Sequence, residues 1–538
     1  MPRFTVPPNF TGTAGSDTIV GEDLNKFPGI GIDILTGGLI YTGSGKDTIK
    51  GNGTGGKGGD GAINVNGSEG SAGIGISNNG NLNAGSGDDA IIGKGIGGRG
   101  GEGGDSPPFL DGDGSIYDFG GDGGDGGVGT GISNIGILNT GLGNDTIIGN
   151  GTGGNGGGGG GDGGFGGFGG VGTGISNSGK LNAGDGNDTI IGNGTGGNGE
   201  SGLGGGNGGT GTGISNSGKL NAGDGNDTIA GTGQGGTGGG GRLGGDGGLG
   251  IGISNTGQLD TGDGNDTIAG IGIGGKGDNG LGPTYDGAAT GISNNGNLNT
   301  GDGNDTITGT GDSRGIVGNA TGITNSKKLD TGDGEDTIVG TGTGTGGPTS
   351  NGTGIQNIKG ATITTGQGND TITGSGNGSA QNPVAYGISN DGVIDTGNGC
   401  DILTGQATAT IDGSAYGIYG KGMIKTGDGN DKITATSTIN EVRQKVTIGG
   451  GIGIDLGTGN DYFKGFGTGT VDGGKGFDTL DLSAFNRSEL TFSGVISGNA
   501  LNPANISFNN NKNVITLSTT GFENFIFADG SLCYSTLV

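Results

Sequence analysis

The chain has 538 residues, of which 157 are Gly, and it contains neither Trp nor His. Its 52 acidic residues against 24 basic ones leave a formal net charge of −28, which offers nucleic acid nothing to bind. Such Gly content suits collagen or disorder, but Pro is only 10 and Gly does not recur strictly every third residue, so a triple helix is excluded. Disorder is opposed by Ile and Leu at fixed offsets, and at this length a repeat array is the first architecture to test.

From the start of the chain, "MPRFTVPPNF" lacks the apolar run of a secretory signal, and no stretch is long enough to span a membrane. Residues 1–50 read as an N-terminal cap and the first coils, 51–300 as a β-solenoid with insertions, 301–464 as a regular solenoid and 465–538 as a C-terminal cap. The Asp before "TI" or its variants marks the phase: Asp17, Asp47, Asp89, Asp145, Asp188, Asp227, Asp266, Asp305, Asp336, Asp370, Asp401, Asp431, Asp461 and Asp478. Their spacing settles to about 30 residues in the C-terminal half and swells to between about 39 and 56 in the N-terminal half, a solenoid-type period.

Two further markers keep step. "GISN" or a variant places Ile76, Ile132, Ile175, Ile214, Ile253, Ile292, Ile323, Ile355 and Ile388. An apolar residue follows each of the first seven at Leu82, Leu138, Leu181, Leu220, Leu259, Leu298 and Leu329, and later at Ile394 and Ile424. In one repeat the anchors are Ile292, Leu298 and Ile307, separated by "SNNGN" and "NTGDGND", which are turn material. The segments are too short for helices, and Ile and Thr favour strands. The expected fold is all-β: a right-handed parallel β-solenoid, two or three short strands per coil, coils about 4.8 Å apart. The anchors form interior ladders. Asn177, Asn216, Asn255 and Asn294 are expected to stack as an amide ladder that satisfies turn backbone.

Extra residues enter between "DTIxGxG" and "GTGISN". They are almost pure Gly, as in "GGNGGGGGGDGGFGGFGGVG" (Gly153–Gly172), and several show a G-G-x period. That period matches the roughly three residues per turn of polyproline II, so a packed lobe of polyglycine-like helices is one reading and floppy loops the other.

The turn carries the chemistry. In "TGDGNDTIT", Gly301 and Gly303 let the backbone turn at positive φ. Such a turn points carbonyl oxygens one way, and Asp305 adds a carboxylate. An oxygen-only cluster suits a hard cation such as Ca²⁺, whereas zinc has no His and no spaced Cys pair to use. An Asp chosen only for turn formation is the plainer reading. Against it, carboxylates stacked about 5 Å apart repel unless something neutralises them.

These residues resemble the nonapeptide GGxGxDxUx of RTX, or haemolysin-type, calcium-binding repeat proteins. Thr or Ala stands for the first Gly in most copies, and "GGKGFDTLD" (Gly473–Asp481) fits throughout. The resemblance implies Ca²⁺ held between stacked turns by the phase-marker Asp residues and backbone carbonyls, in a secreted protein. The chain departs from the family in having one motif per coil of about 30 residues instead of two per about 18. Cys400, Lys46 and Phe477 replace the usual Asn of the turn.

After about Gly465, Gly thins out and alternating Phe-rich segments such as "NKNVITLSTTGFENFIFADG" suggest antiparallel capping strands. This region looks like the C-terminal flank of RTX proteins, where an uncleaved signal for a type 1 secretion channel resides, and Leu537–Val538 is compatible with one. The two cysteines, Cys400 and Cys533, are expected to be thiols.

There is no His, no nucleophile elbow and little Lys or Arg, so no catalytic constellation is expected. The sequence predicts a secreted, calcium-binding structural protein of a cell-surface layer, fibre, filament or sheath, similar to Gly-rich surface-fibril proteins of filamentous cyanobacteria. Rods are expected to self-associate, with extracellular polysaccharide as a further partner. A carbohydrate-active enzyme or adhesin would show clustered aromatics on an irregular coil. An ice-binding protein would show a flat outward array of Thr and Asn, and the charged turn residues Asp185, Asp224, Asp263, Asp302, Asp333 and Asp428 argue against it.

Overall fold

The computed structural model describes residues 2–533 except 107–108, 111–115, 118–119, 162, 279, 282–283, 316–317, 347–349, 380–382, 411–412, 498–499 and 511–512. Leu537–Val538 therefore lies outside the described residues. The chain forms two compact units. One comprises Met1–Asn297, Gly309–Ala320 and Gly344–Gly347, the other Leu298–Thr308, Thr321–Thr343 and Pro348–Val538. Each contains parallel strands stacked coil on coil, so the fold is the parallel β-solenoid that the repeat predicts.

In the first unit the strands Gly73–Asn78, Gly129–Asn134, Gly172–Asn177, Gly211–Asn216, Gly250–Asn255 and Ala289–Asn294 pair in parallel. Their register sets Ile76, Ile132, Ile175, Ile214, Ile253 and Ile292 one above the next. A second row stacks Leu82, Leu138, Leu181, Leu220 and Leu259. A third stacks Ile49, Ile91, Ile147, Ile190, Ile229 and Ile268. Every one of these side chains is fully buried, each worth roughly 1.5–3 kcal/mol over an exposed one. A one-residue slip would turn each row outward, so the rows fix the register. The glycine two places after each third-row Ile is needed because the facing strand is too close. A Cβ on Gly192 would sit 2.3 Å from the Gly213 carbonyl oxygen.

The second unit repeats this plan with larger residues toward its end. Ile372, Leu403, Ile433, Phe463, Leu480 and Phe525 form one row. Leu329, Ile363, Ile394, Ile424 and Ile454 form another. The C-terminal strands Leu490–Ser497, Ala500–Asn510 and Asn513–Thr520 are antiparallel, as are Phe522–Phe527 and Gly530–Cys533. This cap is joined to the coils through parallel pairing of Asn513–Thr520 with Gly467–Asp472. Cys400 and Cys533 form no disulfide.

The Asn residues of the first strand form the expected amide ladder. Asn177 Nδ2 donates to Asn216 Oδ1 at 2.8 Å and to the Lys219 carbonyl at 3.0 Å, and Asn134, Asn216 and Asn255 repeat the pattern.

Of the two readings of the Gly-rich insertions, the structure shows the ordered one. The first Gly of each G-G-x triplet donates to the same run in the next coil: Gly153 N to Thr195 O at 2.8 Å, Gly156 N to Asn198 O at 2.9 Å. The second donates to a neighbouring run: Gly154 N to Gly127 O at 2.8 Å, Gly157 N to Gly124 O at 2.7 Å. The third residue points outward, and its amide is taken by a side chain, as Phe165 N is by Asp122 Oδ1 at 2.9 Å and Asn198 N by Asn155 Oδ1 at 3.0 Å. Glycine is required here by packing. A Cβ on Gly157 would lie 1.8 Å from the Gly101 carbonyl oxygen.

Candidate metal centre

Two glycines shape each turn. Gly184 and Gly186 have φ of 114° and 141°, and Gly301 and Gly303 have 86° and 137°, the region that L side chains avoid. The chain then enters the third strand with the phase-marker Asp, whose side chain turns into the coil. Apart from Asp17, all of these Asp residues are buried.

Inside, they form a ladder of charge-assisted bonds from backbone amide to carboxylate. In the first unit the amide of Asp17 donates to Asp47 Oδ1, Asp47 to Asp89, Asp89 to Asp145, Asp145 to Asp188, Asp188 to Asp227 and Asp227 to Asp266, each at 2.7 Å. In the second unit Asp305 donates to Asp336, Asp336 to Asp370, Asp370 to Asp401 and Asp401 to Asp431, each at 2.9 Å. Asp431 then donates to Asp461 and Asp461 to Asp478 at 2.8 Å. The Asp478 amide ends the series on Glu523 Oε2 at 2.8 Å. Glu523 comes from the cap strand, and nothing in "GFENF" marks it as a ladder residue.

The second carboxylate oxygen behaves differently from coil to coil. Thr331, Thr365 and Thr396 donate their hydroxyls to Oδ2 of Asp336, Asp370 and Asp401 at 2.5, 2.6 and 2.5 Å. At Asp188 and Asp227 the residue five places earlier is Ala183 or Ala222, which has no hydroxyl. Oδ2 of Asp47, Asp89, Asp145, Asp188, Asp227, Asp431, Asp461 and Asp478 is buried without a hydrogen-bond partner. Orphaned buried oxygens of this kind call for a counter-charge.

Burial raises these carboxyls above the usual carboxylate range. Asp89, Asp188, Asp227, Asp370, Asp431 and Asp478 are pushed up to about 7. Asp266, Asp336 and Asp461 are pushed up to about 6. Asp145 and Asp401 shift the same way. The amide donated from the previous coil opposes the rise at Asp188 and Asp227, and neighbouring carboxylates add to it. Asp17 stands apart: its Oδ2 accepts the Thr13 amide at 2.7 Å.

The turn carbonyls are also arranged between coils. Gly303 N donates to Asp333 O at 2.8 Å, Gly334 N to Gln367 O at 2.7 Å and Gly368 N to Asn398 O at 2.8 Å, so successive turns pair with one another. Where Asn precedes the phase-marker Asp it adds an outer ladder, Asn187 N to Asn144 Oδ1 at 2.8 Å and Asn226 N to Asn187 Oδ1 at 2.7 Å. Among the described residues no three Asp, Glu or Cys side chains converge into a metal shell. A cation here would need the orphaned Oδ2 atoms together with turn carbonyls, which have a second lone pair each. That donor set is oxygen-only and anionic, and it fits Ca²⁺.

Clustered aromatics occur on one face of the second unit, where Tyr386, Tyr416 and Tyr419 lie 4.9 to 6.3 Å apart. A Cβ on Gly449 would be 3.0 Å from the Tyr416 and Tyr419 rings, so these rings cover a glycine, and packing accounts for them.

No protein-family model matches the sequence, and no curated protein matches it. Among solved structures the chain is similar to a hyperactive, Ca²⁺-dependent, beta-helical antifreeze protein from an Antarctic bacterium. The identity is 18%, over 74% of this chain and 89% of that one, with a TM-score of 0.30.

Proposed function

We propose that the chain is a secreted structural protein of a cell-surface layer or fibre, stiffened by calcium along its aspartate ladders and without enzymatic activity. The observation that carries this reading is the column of buried Oδ2 atoms with no partner, one per coil at Asp89, Asp145, Asp188 and Asp227 and again at Asp431, Asp461 and Asp478. Those carboxylates, with the carbonyls of their turns, would hold the ions. Bound calcium would supply positive charge where like charges are stacked in a buried column. Half-sites from successive coils meet only when the coils stack, so binding is linked to folding. The RTX-like motif supports the same ion and a type 1 export route.

Circular dichroism during a calcium titration tests it. The expected result is a cooperative gain of β-structure, reversed by chelator and not reproduced by NaCl at equal ionic strength. Full β-structure in excess chelator would return the aspartates to turn and ladder residues.

A second reading has an observation of its own. On the outer face of the second unit, Thr373, Thr404 and Thr434 stand in register, as do Asn377, Thr408 and Thr438. The spacing is about 4.8 Å between coils, and the two rows lie four residues, roughly 13 Å, apart along each strand, a regular polar array of the kind an ice-binding face needs. Ile402, Gln406 and Lys432 interrupt it. Ice-recrystallisation inhibition by the calcium-loaded protein, abolished by Thr404→Tyr, supports this reading, and its absence removes it.

A further inference from the structure

We propose that a cavity in the second unit binds a carboxylate-bearing sugar, a uronic acid residue of an acidic polysaccharide. The cavity is about 270 Å³ and lies where the last coils meet the cap. Its floor is Phe466 and Phe485, both buried, packed edge to face with ring centroids 4.9 Å apart. Three cations line it: Arg443, Lys445 and Lys464. In a chain with 24 basic and 52 acidic residues, this is a local reversal of the field, and a concave low-dielectric wall focuses it.

The charges at the cavity do not cancel. Lys464 Nζ lies 2.9 Å from Asp481 Oδ2 and 3.2 Å from Ser483 Oγ. Lys445 pairs with Glu489, and its ammonium sits 5.1 Å from the centroid of the Phe485 ring. Arg443 is exposed on the strand Val442–Arg443, and among the described residues no carboxylate pairs with it. Two carboxylates against three cations leave one positive charge at the mouth, on the residue whose planar fork matches a carboxylate.

The other walls select the body that carries that carboxylate. Gln444, Thr447 and Ser483 present amide and hydroxyl groups, which suit sugar hydroxyls. The buried Phe466 and Phe485 rings keep the wall beneath low in dielectric, which strengthens the cationic field without offering a free ring face. A bare phosphate or an alkyl carboxylate would leave the hydroxyl and amide groups without partners. The volume falls just under the usual range for ligand sites, about 300–1,000 Å³, so it admits one ring, a chain end and not the middle of a strand. This site is separate from the aspartate ladders and does not depend on calcium being their ligand.

The test is an NMR titration of the full chain in saturating calcium with D-glucuronate, D-glucose and inorganic phosphate. The expected result is saturable one-to-one binding of glucuronate, no saturable binding of glucose, and at least about tenfold weaker glucuronate binding in Arg443→Ala. Arg443 is exposed, so this variant should keep the parent circular dichroism. Lys445→Met gives a second, independent loss. No saturable glucuronate binding, or equal binding of glucose, overturns the proposal. So does phosphate competing as well as glucuronate, which would mark a general anion site. Unchanged affinity in both variants would assign the sugar to the calcium-bearing coils and overturn it as well.

Discussion

Replacing Asp227 by Asn and by Ala separates the two jobs of one carboxylate. Asn keeps an oxygen for the Asp188 amide, which is bonded to Asp227 Oδ1 at 2.7 Å, and removes the charge. Ala removes both and leaves a buried amide without an acceptor, at a cost of about 1–3 kcal/mol. Asp227→Ala is therefore expected to melt lower than the parent with or without calcium. Asp227→Asn is expected to melt higher than the parent in chelator at pH 8 and lower in calcium. Identical melts for Asp227→Asn and parent under both conditions would mean that the carboxylate serves only as a backbone acceptor. The same residue explains what could be read in advance. The position of each Asp was legible from its fixed place after two glycines. Its inward turn and its bond to the preceding coil were not, because that partner lies 17 to 56 residues away and is defined only once coils stack.

The raised pKa values add a pH dependence with a definite sign. Free carboxylates titrate near 3.9, and Asp89, Asp188, Asp227, Asp370, Asp431 and Asp478 are pushed up to about 7 in the fold. The folded state binds these protons more tightly than the unfolded chain. Their stabilising contribution is therefore complete below about pH 4 and is lost as pH rises through about 7. In chelator the urea midpoint is expected to be higher at pH 5 than at pH 8, and the opposite order would contradict the ladder's protonation. Protons are thus a remedy for the electrostatic repulsion besides the proposed calcium, where the sequence alone pointed to the ion.

Among the elements, the Gly-rich lobe shows most directly how packing replaces side chains. Its runs bury no apolar group, so periodicity could not separate order from disorder, and the answer lay in hydrogen bonds between distant runs such as Gly157 N to Gly124 O. Gly157→Ala should disrupt the lobe, because the new Cβ would lie 1.8 Å from backbone; overpacking of this kind costs about 1–3 kcal/mol or more. Gly240→Ala should be tolerated, because the nearest atoms are the side-chain ends of Asp278 at 3.0 Å and Ser201 at 3.4 Å. Limited proteolysis reads the difference: rapid cutting within 151–173 for Gly157→Ala, and none for Gly240→Ala or the parent. A Gly157→Ala chain as resistant as the parent would show that the lobe contributes nothing to its own order. By contrast, the Ile and Leu rows were legible at once, since each apolar anchor repeats at a fixed offset. The capping strands were legible through their alternation. The basic cavity was legible only in part, because Arg443 and Lys445 stand together in "VRQK" but Lys464 lies on the separate strand Tyr462–Lys464, and only the return of the chain brings it to the same wall.

At the scale of the whole molecule, the proposed calcium binding would couple charge and protons in one equilibrium. The formal charge of −28 assumes that every carboxylate is ionised, yet the ladder carboxyls that burial pushes to about 6 or 7 keep part of their protons in a folded chain near neutral pH. If calcium enters the ladder as proposed, it must displace those protons, so its uptake by the folded chain would release acid and its affinity would fall as pH drops. At pH 8 the situation reverses. The metal-free chain has no protons left to offset its stacked carboxylates, and calcium binding appears as folding without proton release. Titration calorimetry in two buffers of different ionisation enthalpy measures the protons released per chain. The expected count is well above zero at pH 6 and near zero at pH 8, while the gain in β-structure on adding calcium is small at pH 6 and large at pH 8. Proton release equal at the two pH values, or a β-structure gain independent of pH, would mean that calcium binds outside the ladders, at exposed carboxylates such as Asp224 and Asp333 that ring the turns.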